Sequence, residues 1–127
     1  MMILQRMPSK STDPFATVRK LGLQLPHVTE GTTYGKPSLK VRGKAFVCMS
    51  SHSSAEPDSL VVRTDFEQRA ELLAADPQVY YVTPHYEGYP AVLVRLRRVA
   101  PDVLKDLLGM AYRYILRESG GARKPGR

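Results

Sequence analysis

The feature that most constrains the fold is a series of four short runs, rich in β-branched residues, between residues 28 and 64. The runs read VTEGTTY, SLKVR, AFVCMS and SLVVRT, and Gly, Pro and Ser residues separate them. Such runs are typical of strands joined by turns and loops. Arg42 and Gly43 lie between two runs, and Gly43 can adopt the positive φ that a tight hairpin turn requires. The sequence therefore predicts a largely antiparallel sheet.

Three helical patterns frame these strands. The first begins at Asp13, which can cap a helix ahead of a proline, and it ends before Pro26. The second begins with TDFE, where the Thr64 hydroxyl is predicted to cap the helix as the first member of a capping box. The last opens at Pro101 with an apolar stripe at helical spacing, and Gly120 is suited to end it.

Two further strands are predicted late in the chain, as VYYVT at 79–83 and AVLVRLRRV at 91–99. The order of elements is then α-β-β-β-β-α-β-β-α. Strands that occur in consecutive groups, rather than in alternation with helices, favour an α+β fold. We predict a two-layer sandwich in which a largely antiparallel sheet of about five or six strands carries the helices on one face.

A chain of 127 residues is long enough for one domain with its own core. We place that domain at 13–118, with a flexible segment at 1–12 and a disordered basic tail at 119–127. The single cysteine, Cys48, cannot form an intrachain disulfide, which favours a reducing, cytoplasmic setting. Because no apolar run approaches the length of a membrane span, no membrane partner is predicted, and a monomer is favoured.

The net charge of +7 is distributed unevenly along the chain. Residues 1–50 carry a net +6, residues 51–94 a net −5, and residues 95–127 a net +6. This asymmetry suggests that the folded protein has a basic face and an acidic face.

Basic residues of two segments form a candidate nucleic-acid site. No acidic residue interrupts the cations within 36–44. Val92, Val94 and Leu96 alternate with Leu93, Arg95 and Arg97, so if the first, apolar set faces the helices, Arg95 and Arg97 share the solvent side of the sheet. The candidate residues, which could neutralise DNA phosphates, are Lys36, Lys40, Arg42, Lys44, Arg95, Arg97 and Arg98. The alternative is that a one-sided sheet needs a polar outer face, on which lysines discourage edge-to-edge pairing.

A second candidate site is the aromatic segment that contains Tyr80, Tyr81, His85, Tyr86 and Tyr89. Tyrosines beside cations could stack nucleic-acid bases, or they could line a pocket for a small ligand or a partner protein. The alternative is that two of the rings fill the core and the others cover a loop.

No constellation of catalytic residues can be recognised. His27, His52 and His85 are widely separated and lack the spacing of metal ligands. Cys48 lies in the apolar run FVCM, where a thiol is usually buried and unreactive. The sequence contains neither a phosphate-binding loop nor a dinucleotide fingerprint. We predict that the chain is not an enzyme and that it holds no metal and no cofactor.

Three segments resemble the MmcQ/YjbR family of small bacterial proteins. They are LQLPHVTEGTTYGKPSLKVRGKAFV, YYVTPHYEGYPAVLVRL and LKDLLGMAYRYI, and the resemblance covers roughly residues 13–118. It implies a compact α+β fold of the CyaY-like, double-wing type, and members are commonly labelled DNA-binding. Many members have a tryptophan that opens the late strand, where this chain has Ala91.

The residues and the resemblance together predict a small, non-catalytic protein. Its predicted activity is weak, mainly electrostatic DNA binding through the basic hairpin at 36–44 and the arginines at 95–98. The alternative is a module that binds a protein or a small ligand through residues 80–89.

Overall fold

The computed structural model describes residues 13–123, and in that range the elements follow the predicted order. The three helices are α1 (Ala16–Gly22), α2 (Phe66–Ala75) and α3 (Pro101–Arg123), and the six strands are β1 (Thr29–Thr33), β2 (Lys36–Val41), β3 (Lys44–Met49), β4 (Ser59–Arg63), β5 (Tyr80–Tyr81) and β6 (Ala91–Arg95). Two short 3-10 helices, Pro84–Tyr86 and Leu96–Arg98, lie on either side of β6.

The strands of this range form one antiparallel sheet in the order β1-β2-β3-β4-β6-β5. The first four are neighbours in the sequence as well as in the sheet. Helix α3 packs across β2, β3 and β4 and also contacts α1, whereas α2 contacts β5 and β6. The predicted two-layer α+β sandwich is therefore confirmed.

The turns of the first two hairpins share one backbone conformation. Tyr34 and Gly35, between β1 and β2, have φ values of 52° and 77°. Arg42 and Gly43, between β2 and β3, have φ values of 55° and 77°. Two consecutive positive φ values define the turn whose twist matches that of antiparallel strands. The predicted turn at Arg42 is confirmed, although both turns carry a bulky residue where Asn, Asp or Gly is preferred.

The main core lies between the sheet and helices α1 and α3. Val18 of α1, Leu39 and Phe46 of the sheet, and Leu108 of α3 belong to it, and none of them is more than 1% exposed. Helix α1 approaches the sheet closely because Gly22 has no side chain. A Cβ atom at Gly22 would overlap the Cδ1 atom of Leu39, so any larger residue at this position would force the buried Leu39 side chain to move.

A second, smaller apolar cluster lies on the other face of the sheet. It consists of Val61, Tyr86, Ala91 and Leu93, all of them buried. Leu93 lies on the side of β6 predicted to be solvent-facing, yet it is buried, because Tyr86 and part of the loop that follows β3, including Ala55, pack over this cluster. Segments that are distant in the sequence thus cover part of the outer face of the sheet.

The late strand ends earlier than its sequence pattern predicts. Strand β6 stops at Arg95, and residues Leu96–Arg98 form a 3-10 turn. The reason is the register: Arg95 pairs with Ser59, the first residue of β4, so later residues have no β4 partner. The prediction that Arg97 and Arg95 share one face of a strand is therefore wrong, because Arg97 lies beyond the end of β6.

Helix α2 is capped one residue later than predicted. The Asp65 carboxylate accepts a hydrogen bond from the N–H of Gln68 at 2.7 Å. Thr64 is instead buried, and its own N–H donates to the carbonyl oxygen of Pro90. Both residue types can cap a helix, but the buried Thr64 hydroxyl donates to Met110 Sδ of helix α3 at 3.9 Å, and Asp65 takes the capping role.

Helix α3 also ends differently from the prediction. It continues through Gly120 to Arg123, so this glycine does not end the helix. The segment predicted as a disordered tail is helical as far as Arg123. The rest of that tail, and the segment 1–12 predicted to be flexible, lie outside the described residues.

Candidate functional site

The basic residues of the hairpin are spread along β2 and its two ends. Lys36 begins β2, whereas Arg42 and Lys44 lie at the far turn, roughly 20 Å away at the usual rise of a strand. Lys40 lies between them, with its side chain against Gly31 of β1. None of the four cations forms an ion pair with another described residue. They are available to a partner, but they do not form a compact cluster.

Arg95, the first of the late arginines, is fully engaged within the fold. Its Nε and Nη2 atoms donate to the two carboxylate oxygens of Glu56, each at 2.9 Å, and Nη1 donates to the carbonyl oxygens of Pro77 and Gln78 at 3.1 Å. Its guanidinium lies 4.2 Å from the centroid of the Tyr81 ring. The hydrogen bond from Arg95 lowers the pKa of Glu56. Little of this guanidinium is left for a phosphate.

Arg97 and Arg98 each have one polar partner. Arg97 Nε donates to Asp58 Oδ2 at 2.8 Å, although 81% of the side chain stays exposed. Arg98 Nη1 donates to Gln78 Oε1 at 2.9 Å. Strand β6, which leads into both, is three strands away from β2, or roughly 14 Å at the usual strand spacing. The structure therefore does not bring the seven candidate cations together in one patch.

Two residues of the aromatic segment have structural roles. Tyr80 is 5% exposed and belongs to the main core. The Tyr81 hydroxyl accepts a hydrogen bond from the N–H of Glu56 at 2.8 Å and shares another with the Ser59 hydroxyl. These rings are therefore used to anchor β5 and the loop before β4.

The rest of the aromatic segment lies over the open face of the sheet, and we call residues 84–89 the tyrosine segment. Tyr86 is 8% exposed, and its hydroxyl lies 2.9 Å from that of Ser50. His85 stacks on His52 with ring centroids 3.4 Å apart. Tyr89 is 43% exposed. The part of the predicted aromatic site that remains accessible is thus His85 and Tyr89.

Arg69 of helix α2 holds the tyrosine segment in place. Its Nη1 atom donates to the carbonyl oxygens of Tyr86, Tyr89 and Ala91 at 3.4, 3.1 and 3.1 Å, and Nη2 donates to that of Glu87 at 2.9 Å. A planar fork of donors on three carbonyls of the loop and on the first carbonyl of β6 fixes the path of that loop. No sequence pattern marks Arg69 for this role, and sequence reasoning missed it.

A cavity of about 320 Å³ lies between the tyrosine segment and the sheet. Strands β3 and β4 line it with Ala45, Phe46, Val47, Cys48, Val61 and Arg63. The other lining residues come from the end of β1, the adjoining turn, the loop after β3 and the tyrosine segment: Thr33, Tyr34, Ser51, His85, Tyr86 and Tyr89. Mainly apolar and aromatic walls with a few polar groups are typical of a small-molecule site.

Arg63 contributes a permanent positive charge to the cavity lining. Its Nε atom donates to the carbonyl oxygen of Pro90 at 3.1 Å, and its guanidinium lies 4.7 and 5.5 Å from the ring centroids of Tyr89 and Tyr114. No described carboxylate forms an ion pair with it, and no Asp or Glu is among the lining residues. Sequence reasoning missed Arg63 because it is one of only two cations in the acidic segment 51–94 and belongs to no cluster.

Two neutral donors accompany Arg63 in the cavity. Burial raises the pKa of the Cys48 thiol to about 11, and the neighbouring Arg63 opposes only part of that shift. Burial likewise raises the pKa of Tyr89. Both groups are therefore protonated at pH 7 and can donate hydrogen bonds. The low reactivity predicted for Cys48 stays a prediction, and a protonated thiol favours it.

Metal-binding clusters and membrane-spanning helices can be assessed for residues 13–123. In that range, no group of three or more His, Cys, Asp or Glu side chains is placed to hold a metal ion. No helix in the same range combines the length and the apolar character needed to cross a membrane.

Comparisons with known proteins place the chain in a family. A segment of 41 residues is 49% identical to the uncharacterised proteins Rv2570 of Mycobacterium tuberculosis (strain H37Rv) and Mb2600 of Mycobacterium bovis. The match spans 32% of this chain and only 32% of the length of these curated relatives. The crystal structure of the Deinococcus radiodurans protein DR2400, a DUF419 domain, has the same fold, with a TM-score of 0.66 at 22% identity over 87% of this chain and 86% of that one.

The family model named YjbR matches residues 23–114, which is most of the chain. The matched range begins before β1 and ends within α3, so it contains all six strands of the sheet and helix α2. Ala91 opens β6 and is buried. The resemblance noted in the sequence is therefore confirmed, and the chain belongs to the YjbR family.

Proposed function

We propose that this protein is a non-catalytic binding protein whose site is the cavity between the tyrosine segment and strands β3 and β4. The observation that carries the proposal is the cavity lining, in which aromatic and apolar side chains surround the Arg63 guanidinium, the Cys48 thiol and the Tyr89 hydroxyl. Cavities of this size with a few converging polar groups are where proteins bind small molecules. The protonated thiol of Cys48 is a poor nucleophile, which supports binding without catalysis.

The proposal includes a cytoplasmic location and a monomeric state. The free thiol of Cys48 supports a reducing compartment. Light scattering of the full chain tests the monomer, and fractionation of the producing cells tests the location.

A fragment screen read by amide NMR shifts of the full chain tests cavity binding. We expect hits to shift amides of β3, β4 and the tyrosine segment. Ala45→Phe, which places a ring in the cavity, should abolish the shifts. Ala74→Phe, on the exposed surface of α2, is the matched control and should leave them unchanged. The proposed site would be refuted if the fragments cause the same shifts in Ala45→Phe as in the parent, or if no fragment shifts amides at the cavity.

Nucleic-acid binding by the hairpin is the second candidate function. It is favoured by the four cations Lys36, Lys40, Arg42 and Lys44, none of which is ion-paired with a described residue. Arg95 does not belong to this candidate site, because Glu56 and two carbonyls occupy it. The double-wing arrangement that the resemblance implies would make the β2–β3 hairpin one wing against the DNA.

A salt-dependent titration with duplex DNA tests this second candidate. Contacts to about four phosphates imply that affinity falls roughly a hundredfold between about 50 and 200 mM salt. Single-stranded DNA and RNA titrated in parallel show which nucleic acid binds. Affinity that does not change over this range, or no binding at low salt, would refute the candidate.

A further inference from the structure

Tyr34 lines the cavity in a backbone conformation that tyrosine disfavours. Its φ of 52° lies in the left-handed region, where this type of turn prefers Asn, Asp or Gly. The side chain is 88% exposed, although it is part of the cavity lining. Packing within the fold does not explain an exposed aromatic ring at a strained turn position. Arg42 has the same backbone conformation outside the cavity, so it is the exposed ring of Tyr34 in the cavity lining, together with the strain, that points to a ligand.

Arg63 is a second and independent observation in the same cavity. Its Nε atom is used by the carbonyl of Pro90, and no described carboxylate pairs with its terminal nitrogens. A guanidinium presents its donors as a planar fork that matches the two oxygens of a carboxylate. A partly buried cation without a counter-charge is stabilised by an anion that enters beside it.

We infer that the cavity binds a small aromatic carboxylate, with the carboxylate on the Arg63 guanidinium and the aromatic ring against Tyr34. This inference rests on the proposed function, because it names the ligand class of the same cavity. One guanidinium matches one negative charge, and the lining offers no Asp or Glu that would repel it. A phosphomonoester carries nearly two charges at neutral pH and would require a second permanent cation.

The test uses the full chain and three probes that share one ring system: 2-naphthoate, 2-naphthamide and 2-naphthyl phosphate. We expect 2-naphthoate to bind about tenfold to a hundredfold more tightly than 2-naphthamide, since hydrogen bonds between ionised groups are the stronger ones. In Arg63→Gln the acid should lose this advantage while the affinity for the amide is unchanged. Arg63→Lys keeps the charge without the fork and should give an intermediate value.

Tyr34→Asn separates ligand contact from folding. Asn suits the turn, so the variant should melt at a higher temperature than the parent while it binds the acid and the amide several-fold more weakly. The control is His27→Asn, which relieves another positive-φ position outside the cavity lining and should leave both affinities unchanged.

The outcomes separate this inference from the proposed function. Equal affinity for acid and amide, with shifts at the cavity, would overturn the carboxylate assignment and leave cavity binding intact. Tighter binding of 2-naphthyl phosphate would also overturn it. If none of the three probes reaches the cavity, the inference is wrong, and the fragment screen with Ala45→Phe decides the proposed function on its own.

Discussion

The hairpin at 36–44 and the arginines at 95–98 look alike in the sequence, yet the fold treats their charges differently. The loop between β3 and β4 carries acidic residues to the late arginines, and Glu56 holds Arg95 through two hydrogen bonds. These partners are 39 residues apart in the chain. No described acid reaches the hairpin cations. Whether a cation is free to meet a partner thus depends on long-range pairing, which counting charges along the sequence does not reveal.

The largest difference in stability between the two basic regions is expected when Arg95 is replaced. Arg95→Ala eliminates two hydrogen bonds to Glu56 and two to backbone carbonyls, and we expect the free energy of unfolding to fall by about 2 kcal/mol. Denaturant unfolding of variant and parent measures the change. The matched control is Arg98→Ala, which removes one hydrogen bond from an exposed side chain and should cost less than about 0.5 kcal/mol. If the two variants are equally stable, Arg95 contributes no more to the stability of the fold than the exposed Arg98 does.

Acidification tests the same ion pair through Glu56, with a smaller effect because Arg95 keeps its two carbonyl partners. The hydrogen bond from Arg95 lowers the pKa of Glu56 in the folded state. Its contribution to stability is therefore present above the unfolded-state pKa and is lost as the pH falls through the folded-state pKa. We expect Glu56→Gln to be less stable than the parent at pH 7, the difference to shrink as the pH falls below about 4.3, the ordinary pKa of Glu, and to vanish below the lower folded-state pKa.

Unfolding curves measured at several pH values check this expectation. Glu118→Gln, at an exposed position of α3, is the control and should follow the parent throughout. A constant difference between Glu56→Gln and the parent down to low pH would contradict the role given to the carboxylate.

The turn residue Arg42 tests the other side of the comparison. Arg42→Asn should raise the free energy of unfolding by about 0.5 kcal/mol, because Asn adopts a φ of this sign more readily than Arg. Arg42→Gln removes the charge without relieving the backbone and serves as the control. Thermal melts of both variants provide the measurement. A loss of stability in Arg42→Asn would show that the fold uses the arginine side chain.

The smallest effect on stability is expected from neutralising the hairpin. Changing Lys40, Arg42 and Lys44 to Gln should alter the free energy of unfolding by less than about 0.5 kcal/mol each, since none has an ionic partner among the described residues. If the hairpin binds DNA, the slope of log affinity against log salt should become shallower by up to about 2.7. Lys105→Gln, on α3, is the control for a distant cation. An unchanged slope would leave the hairpin cations without a role in nucleic-acid binding.

The sequence predicted the elements of this fold better than the contacts between them. Gly43 and the short gaps between strands indicated the hairpins, because turn chemistry is local. The end of β6 at Arg95 was missed because it depends on where β4 begins. The capping role of Asp65 was missed because Thr64 is buried, with its hydroxyl on Met110 of helix α3. These features depend on residues far apart in the chain, which a local pattern does not contain.

The candidate site was predictable only in part, for the same reason. The aromatic segment was recognised by its composition, and Tyr86 and Tyr89 do line the cavity. Arg63 and Tyr34 were missed because they come from other strands and turns and carry no motif. Arg69 fixes the segment through hydrogen bonds to backbone carbonyls. Every residue type has a backbone carbonyl, so such contacts leave no recognisable pattern in the sequence.

The strand order has a consequence for behaviour in concentrated solution. The edge strand β5 is only two residues long, and the opposite edge strand β1 carries Glu30, which is ion-paired with Arg19 of helix α1 at 2.8 Å. Short or charged edge strands are poor templates for pairing with another copy. Strand β2 lies one position inside the edge, so its lysines are not needed to prevent such pairing. A variant with a lysine-free hairpin should therefore stay free of strand-mediated aggregates at high protein concentration.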